Sequence, residues 1–207
     1  GPNFTRDALI VAQGANTFRD VAAWASMIAN PVRELELTMG ARVDGYLRND
    51  AYVVQPRGQA VWHVADGSTL RLDDGLYTRP PEHLDHGLQA DLKPERVVQV
   101  VVGGERKLTP ELTATATVFE NRMSDLVVLP VDRADPAALG GYENLGTGVS
   151  RGIELLLKFQ RDDLFGWLAY TGAVAKRRDA PGMAERRFDY AQTHNLIAVA
   201  LWQIPPT

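Results

Sequence analysis

The chain has 207 residues, no cysteine and a formal net charge of −4. This length allows one sizeable domain or two small ones. The lack of cysteine excludes disulfides, thiolate metal ligands and a cysteine nucleophile, and the slightly acidic balance gives no reason to expect nucleic acid as a partner.

The longest mostly apolar stretch, residues 21–29, is less than half of the roughly 18 to 20 residues that a membrane helix needs. A helical membrane protein is therefore excluded, whereas a membrane β-barrel is not, because its strands need only about 9 to 11 residues each. The sequence opens on Gly1 and Pro2 without an initiating Met. We therefore expect a fragment or an engineered derivative.

Alternation of apolar and polar residues between turn signals predicts an all-β chain of about ten strands. In chain order they are residues 4–11, 18–29, 35–47, 51–64, 69–78, 96–108, 111–129, 148–160, 164–175 and 195–203. Tight turns are predicted at Asn30-Pro31, Asp66-Gly67, Thr109-Pro110 and Asp162-Asp163. The predicted fold is an antiparallel up-and-down meander that forms a β-barrel, either as a segment of a larger barrel or as a shortened closed one.

Longer polar connections alternate with these tight turns, at residues 79–95, 132–146 and 176–194. In an antiparallel meander, strict alternation places the tight turns at one end of the strands and the longer loops at the other. Short turns on one side and long loops on the other are typical of outer-membrane barrels.

The strand at residues 111–129 places Leu112, Ala114, Ala116 and Val118 on one face and Thr113, Thr115 and Thr117 on the other. Alternation alone does not decide which face meets water. A wet lumen would take the threonines and leave the apolar row facing lipid. A small soluble barrel would reverse it.

Several short motifs follow one another in an order that resembles the barrel of TonB-dependent outer-membrane receptors. They are Arg42-x-Asp44, Pro56-Arg57, Gly75-x-Tyr77 with Pro80-Pro81, the segment VFENRMSDLVV, Tyr142-x-Asn144-x-Gly146, Gly152-Ile153-Glu154, and Phe188, Asp189, His194 and Leu196. The match runs from about Leu35 to the end of the chain. The resemblance implies part of a barrel of about 22 strands in the bacterial outer membrane. A barrel of that size holds water inside, so we predict that the apolar row of residues 112–118 faces lipid and the threonines face the lumen.

The resemblance implies uptake of a scarce nutrient, such as an iron chelate, vitamin or glycan, and no enzymatic activity or cofactor. Residues 1–207 would form one barrel segment without a plug domain, in contact with outer-membrane lipid, and TonB would act only through segments absent here. The candidate ligand-binding residues in the outside loops are Arg79, His83, His86, Tyr142, Arg177 and Arg178. The alternative is an engineered or shortened barrel, soluble or not, with a structural role and no transport.

Other chemistry has little support in the sequence. The segment EHLDH, residues 82–86, contains two histidines and two carboxylates, but it lacks the spacing of a zinc helix and reads as a polar loop. Gly146-x-Gly148 is followed by Arg151 and a strand, so it is not a dinucleotide fingerprint. We therefore predict neither a metal site nor a catalytic residue.

Overall fold

The structure, a computed structural model, describes residues 3–13, 18–46, 51–80, 92–129 and 142–203. All of its strands belong to one antiparallel sheet. They are β1 (Asn3–Gln13), β2 (Phe18–Val32), β3 (Leu35–Tyr46), β4 (Ala51–Ala65), β5 (Ser68–Arg79), β6 (Glu95–Lys107), β7 (Leu112–Val128), β8 (Glu143–Arg161), β9 (Leu164–Arg178), β10 (Arg186–Arg187) and β11 (His194–Trp202). Within those ranges, no helix is long and apolar enough to cross a membrane.

The strands pair in meander order from β1 to β9, and β9 then pairs with both β10 and β11. The predicted all-β meander is confirmed, and each of the ten predicted strands overlaps one long strand. The sequence analysis did not predict β10, which has only two residues and pairs with Lys176 and Arg177 near the end of β9.

Three of the four predicted turns lie at the predicted residues. Gly67 has a φ of 67° and Asp162 a φ of 46°, the left-handed conformation that a two-residue hairpin turn uses. The turn predicted in the segment ANPVRE near Asn30-Pro31 occurs within that segment but later, because Asn30 and Pro31 lie inside β2 and Arg33 and Glu34 form the turn. The pairing register shifts between Ala29 and Val32, and this bulge accommodates a proline that has no N–H for the ladder.

The pairing order places the longer connections together. The strand ends that they join are Arg79 and Glu95, Val128 and Glu143, and Arg178 and His194, and all lie at the end of the sheet opposite the tight turns. The predicted separation of turns and loops is confirmed for these strand ends. Residues 81–91 and 130–141 of the loops lie outside the described residues.

The two faces of the sheet differ in chemistry. Val118 pairs with Val102 on one side and Ile153 on the other, and Met39 pairs with Met27 and Gly58. Paired residues lie on the same face, so apolar rows join across the strands into one apolar face. The other face carries Arg42, Asp44, Gln59 and Asp73 on β3 to β5 and the threonine row of β7, and we call it the polar face.

The apolar face is the more exposed of the two. Met39, Val54 and Val118 are each 57% exposed, whereas Asp44 and Gln55 on the polar face are 6% and 3% exposed. A sheet that curls toward its polar face shields the side chains inside the curve and exposes those outside it. The row of Leu112, Ala114, Ala116 and Val118 therefore lies on the outer side, in the orientation that the sequence analysis predicts.

Aromatic residues mark the two ends of the apolar face on β4. The side chains of Tyr52 and Trp62 both point to this face, and the residues of β4 that lie between them on the same face are Val54, Pro56, Gly58 and Ala60. Ten residues of strand span roughly 33 Å, which a strand tilt of about 40° reduces to about 25 Å along the barrel axis. This equals the height of the apolar band of an outer-membrane barrel, with an aromatic residue at each boundary.

Backbone pairing, not a packed core, holds this sheet together. Among the described residues, no large side chain is fully buried, and the buried apolar ones are only Tyr46, Val53, Leu92, Leu126 and Val128. In the described pairings, β1 contacts only β2, and β11 contacts only β9. The sheet is therefore open at both edges, which favours a segment of a larger barrel over a shortened closed one.

Replacing Val118 by Arg should destabilise the folded protein by about 2 to 4 kcal/mol, because this side chain would contact lipid near the middle of the apolar face. The matched control is Thr117→Arg. Its side chain would point to the polar face beside Glu154, its partner across the strand pair, and should have little effect. The free energy of unfolding in lipid vesicles measures both. Equal costs for the two substitutions would contradict the assignment of the faces.

Candidate ligand-binding face and loop end

A buried polar network joins three strands on the polar face. Arg42 donates from Nε to both carboxylate oxygens of Asp44, each at 2.9 Å, and from Nη2 to Oδ1 at 2.7 Å. Gln55 donates to the same carboxylate and accepts a hydrogen bond at 3.1 Å from the backbone N–H of Thr78. The Thr78 hydroxyl lies 3.2 Å from that of Tyr46. Because each partner is satisfied, the network fixes the ends of β3, β4 and β5 against one another.

Nearer the turns, the polar face is open. It forms a depression of about 380 Å³, lined in part by Trp24, Thr38, Arg57, Asp73 and Tyr77. The Arg57 guanidinium lies over the Tyr77 ring at 4.7 Å from its centroid, a cation–π contact that holds both side chains along the face. A polar solute could therefore exchange its water for hydrogen bonds here.

Asn144 fastens the loop ends of β6, β7 and β8. Its side-chain N–H₂ donates to the carbonyl of Lys93 at 2.9 Å and to that of Asp125 at 2.7 Å. Its Oδ1 accepts from the backbone N–H of Lys93 at 2.7 Å. One amide thus satisfies three backbone groups that the strand ladders leave unpaired, which gives the asparagine of the motif Tyr142-x-Asn144-x-Gly146 a structural role.

Two further motif residues have backbone reasons. Asp125 has a φ of 56°, and the β7–β8 register shifts between Met123 and Leu126 beside it. A Cβ on Gly146 would lie 3.0 Å from the carbonyl oxygen of Leu126 and 2.8 Å from its Cβ. The glycine therefore permits the close approach of β8 to the bulged end of β7.

The connection from β9 to β11 is pinned by one carboxylate. Asp179 accepts from Arg177 Nε at 2.6 Å and from Arg186 Nε at 2.6 Å. These contacts lower the pKa of Asp179 from its ordinary value of 3.8, chiefly through the hydrogen bond from Arg186, against an opposing effect of burial. Arg177 also lies over the Phe188 ring, 5.4 Å from its centroid. The connection therefore packs on the polar face instead of extending away from it.

The predicted site residues reach different surroundings. Arg79 ends β5 and donates to Glu95 at 2.6 Å, while Glu95 is 8% exposed and also accepts from the backbone N–H of Val127. Tyr142 is half-buried just before β8. Arg177 and Arg178 are neighbours on β9, so their side chains point to opposite faces of the sheet. Arg178 points to the apolar face and lies 3.5 Å from Glu185. His83 and His86 lie outside the described residues.

The sequence analysis missed the residues that hold this end together. Gln55, Glu95 and Asp179 each bind partners from other strands or loops, so no local pattern around them could reveal the contact. Phe188 and Asn144 stood in motifs that carried the resemblance, but the motifs gave no role. The described residues contain no cluster of three or more His, Cys, Asp or Glu side chains that could hold a metal ion, and residues 82–86 lie outside them.

Replacing Asn144 by Ala should destabilise the protein by about 1 to 3 kcal/mol, because two carbonyls and an N–H lose their partner at a partly shielded position. Asn195→Ala is the matched control, since the exposed Asn195 side chain on β11 makes none of these contacts. The midpoint of urea unfolding in detergent compares them. A shift for Asn144→Ala no larger than that of the control would rule out the fastening role.

Acidification should release the β9–β11 connection only at low pH. A carboxylate whose pKa is lowered on folding stabilises above its unfolded pKa and loses that contribution as the pH falls through the folded value. The Phe188 amide donates to the carbonyl of Ala175 at 3.2 Å. Its protection from hydrogen exchange should therefore remain constant as the pH is lowered to about 5, and should decrease once the pH drops below 3.8. Hydrogen exchange corrected for intrinsic rates measures this. This pH-dependent loss of protection should be absent in Asp179→Asn and present in the control Asp189→Asn. If it were still present in Asp179→Asn, a group other than Asp179 would be responsible.

The chain matches known proteins in fold and family. The family model of the TonB-dependent receptor-like β-barrel matches residues 3–204. The ferric-catecholate import receptor Fiu of Escherichia coli K12 aligns over 91% of this chain and 32% of its own, with a TM-score of 0.73 and 15% identity. The FrpB iron transporter of Neisseria meningitidis aligns over 78% of this chain and 26% of its own, with a TM-score of 0.65 and 18% identity.

A third similar structure is the ferripyoverdine receptor of the outer membrane of Pseudomonas aeruginosa, with a TM-score of 0.71 and 14% identity over 92% of this chain and 26% of that one. A sequence search of curated proteins returned no match. The chain thus spans about a quarter to a third of the length of these receptors. Because the family model covers nearly all of the chain, the protein belongs to the TonB-dependent receptors, as part of their β-barrel in the bacterial outer membrane.

Proposed function

We propose that residues 1–207 form one barrel segment of a receptor that takes up a scarce nutrient. The nutrient binds at the loop end and passes along the polar face, and TonB drives the uptake. The family supports the general role of an outer-membrane receptor. The solved relatives include an iron transporter and receptors for a ferric catecholate and for ferripyoverdine. An iron chelate is therefore the first class of ligand to test.

The charge of the β9–β11 connection supports the choice of an anionic chelate. Residues 176–189 contain five cations and three carboxylates, and without Lys176, Arg178 and Glu185, which belong to the apolar face, three cations and two carboxylates leave a net charge of +1 toward the polar face. Most of these side chains pair with one another, as Arg177 and Arg186 do with Asp179, so they form a preorganised positive surface. Such a surface attracts an anionic iron complex more strongly than a neutral vitamin or glycan. Arg79, His83, His86, Tyr142, Arg177 and Arg178 remain the proposed contact residues, with Arg178 at the rim because of its direction.

Arg177→Gln should weaken binding of a ferric chelate by roughly tenfold, about the effect of losing one charge-assisted hydrogen bond. Arg71→Gln is the matched control, because Arg71 is on the same face but near the turn end, with 60% of its side chain exposed. Fluorescence titration of the intact protein with ferric catecholate, cyanocobalamin and a maltodextrin measures the preference. Tighter binding of a neutral ligand than of the ferric chelate would contradict the proposed class.

Uptake tests the transport part separately. Cells that carry the intact protein should accumulate radiolabelled iron from the chelate, and deletion of TonB should abolish accumulation while surface binding remains. Surface binding of the chelate without TonB-dependent accumulation of iron would show that the protein binds the chelate but does not transport it.

A further inference from the structure

Basic side chains interrupt the apolar face at its loop end. Arg122, Arg151, Lys176 and Arg178 line a groove of about 620 Å³, which we call the basic groove. Cross-strand pairing places Arg122 opposite Val149, and Val149 opposite Lys176, while Arg151 pairs with Val174. These residues therefore share the face of Val118 and Ile153, not the polar face that the nutrient would follow.

The basic groove keeps an excess of positive charge. Glu120 binds Arg122 at 2.6 Å, and Glu185 lies 3.9 Å from Lys176 and 3.5 Å from Arg178. Four cations against these two carboxylates leave a net charge of +2. Arg151 lies directly across the strand pair from Glu120, but that carboxylate binds Arg122. Among the described residues, no carboxylate lies within ion-pair distance of Arg151, so its guanidinium can also bind an anion from outside the protein.

The position of the groove along the strands matches the level of lipid headgroups. Tyr52, the aromatic residue at the loop end of the apolar face, precedes the turn at Asp66 by 14 residues. Arg151 precedes the turn at Asp162 by 11 residues, and Lys176 follows Asp163 by 13. Because the tight turns lie at one end, similar distances from them mean similar heights. Arg151 therefore lies slightly closer to the middle of the membrane than Tyr52, and Lys176 lies at nearly the same height as Tyr52, both in the leaflet on the loop side.

A second groove lies below the first on the same face. It has a volume of about 600 Å³, and its walls include Val100, Val118, Ile153 and Val174. Gly172 contributes no side chain there, which leaves the groove deep beside Ile153, its partner on β8. Arg151 and Val174 line both grooves, so the apolar one opens directly beneath the cations.

We propose that the two grooves form one binding site for a phosphate-bearing lipid of the outer leaflet. Its phosphate lies among Arg151, Lys176 and Arg178, and one of its acyl chains follows the apolar groove. Arginine binds phosphate oxygens through paired N–H donors, and a boundary with lipid makes each such contact stronger than in water. An anionic lipid is favoured over a second copy of the chain, because the walls combine net positive charge with an adjoining apolar groove. Of the three cations around the phosphate, only Arg178, at the rim, is shared with the proposed nutrient contacts, and the test below leaves Arg178 unchanged.

The test uses the intact protein in detergent micelles and native mass spectrometry with diphosphorylated lipid A as the probe. The wild-type protein should retain this lipid with an apparent Kd at least tenfold lower than the double variant Arg151→Gln, Lys176→Gln. Arg106→Gln removes one charge from the same face at the turn end and should bind like the wild type. The double variant Arg151→Lys, Lys176→Arg keeps both charges and one guanidinium at these two positions, and should bind within about threefold of the wild type.

Any of four results would overturn the proposal. One is equal affinity of the wild type and the charge-removing double variant for lipid A. Another is equal affinity of the wild type for lipid A and its enzymatically dephosphorylated form. The third is full displacement of the lipid by millimolar inorganic phosphate, which would show a site for the free anion. A charge-removing variant that changes the oligomeric mass instead of lipid retention would show a protein interface. None of these results bears on chelate binding, so nutrient uptake stands or falls separately.

Discussion

Every part of this sheet depends on the need to pair backbone N–H and C=O groups where no water can reach them. Within lipid, an unpaired peptide group costs several kcal/mol, and strands can satisfy it only through their neighbours. This explains how a chain with almost no buried apolar core holds long, continuous strands. Among the described pairings, β1 and β11 each present an unpaired ladder on one side, and a membrane-embedded sheet would need a further strand beside each of them.

The same requirement gives polar side chains their place. At the loop end the strands separate, and some backbone groups have no partner on a neighbouring strand. Side chains such as Asn144 and Glu95 form hydrogen bonds with these backbone groups instead. Farther along, Asp179 holds arginines from two segments. The surface that we propose for nutrient binding therefore also contains the side chains that pair the unsatisfied backbone groups at the strand ends.

Sequence reasoning reached the fold because its signals are local. Alternation and turn residues mark strands within a few residues, whereas the outward direction of the apolar row of β7 followed from the family resemblance. The predicted end of β2 was too early at Pro31, where a bulge absorbed a residue that normally ends a strand. The site was harder to predict, because contacts such as Gln55 with Asp44 and Thr78 join residues of three strands. Arg178 shows the same limit, since its direction follows from strand register and not from its position in a loop-like basic run.

The strict two-residue repeat of the faces has a consequence for how such a chain can change in length. A single inserted residue within β6 would turn every later side chain of that strand to the opposite face, bringing Gln99 to lipid and Val100 to the lumen. A bulge, as at Asp125, can absorb one residue because it leaves that residue outside the ladder. Peptide tags and epitopes should therefore be accepted in the loops or beside existing bulges, and strand insertions should come in pairs of residues.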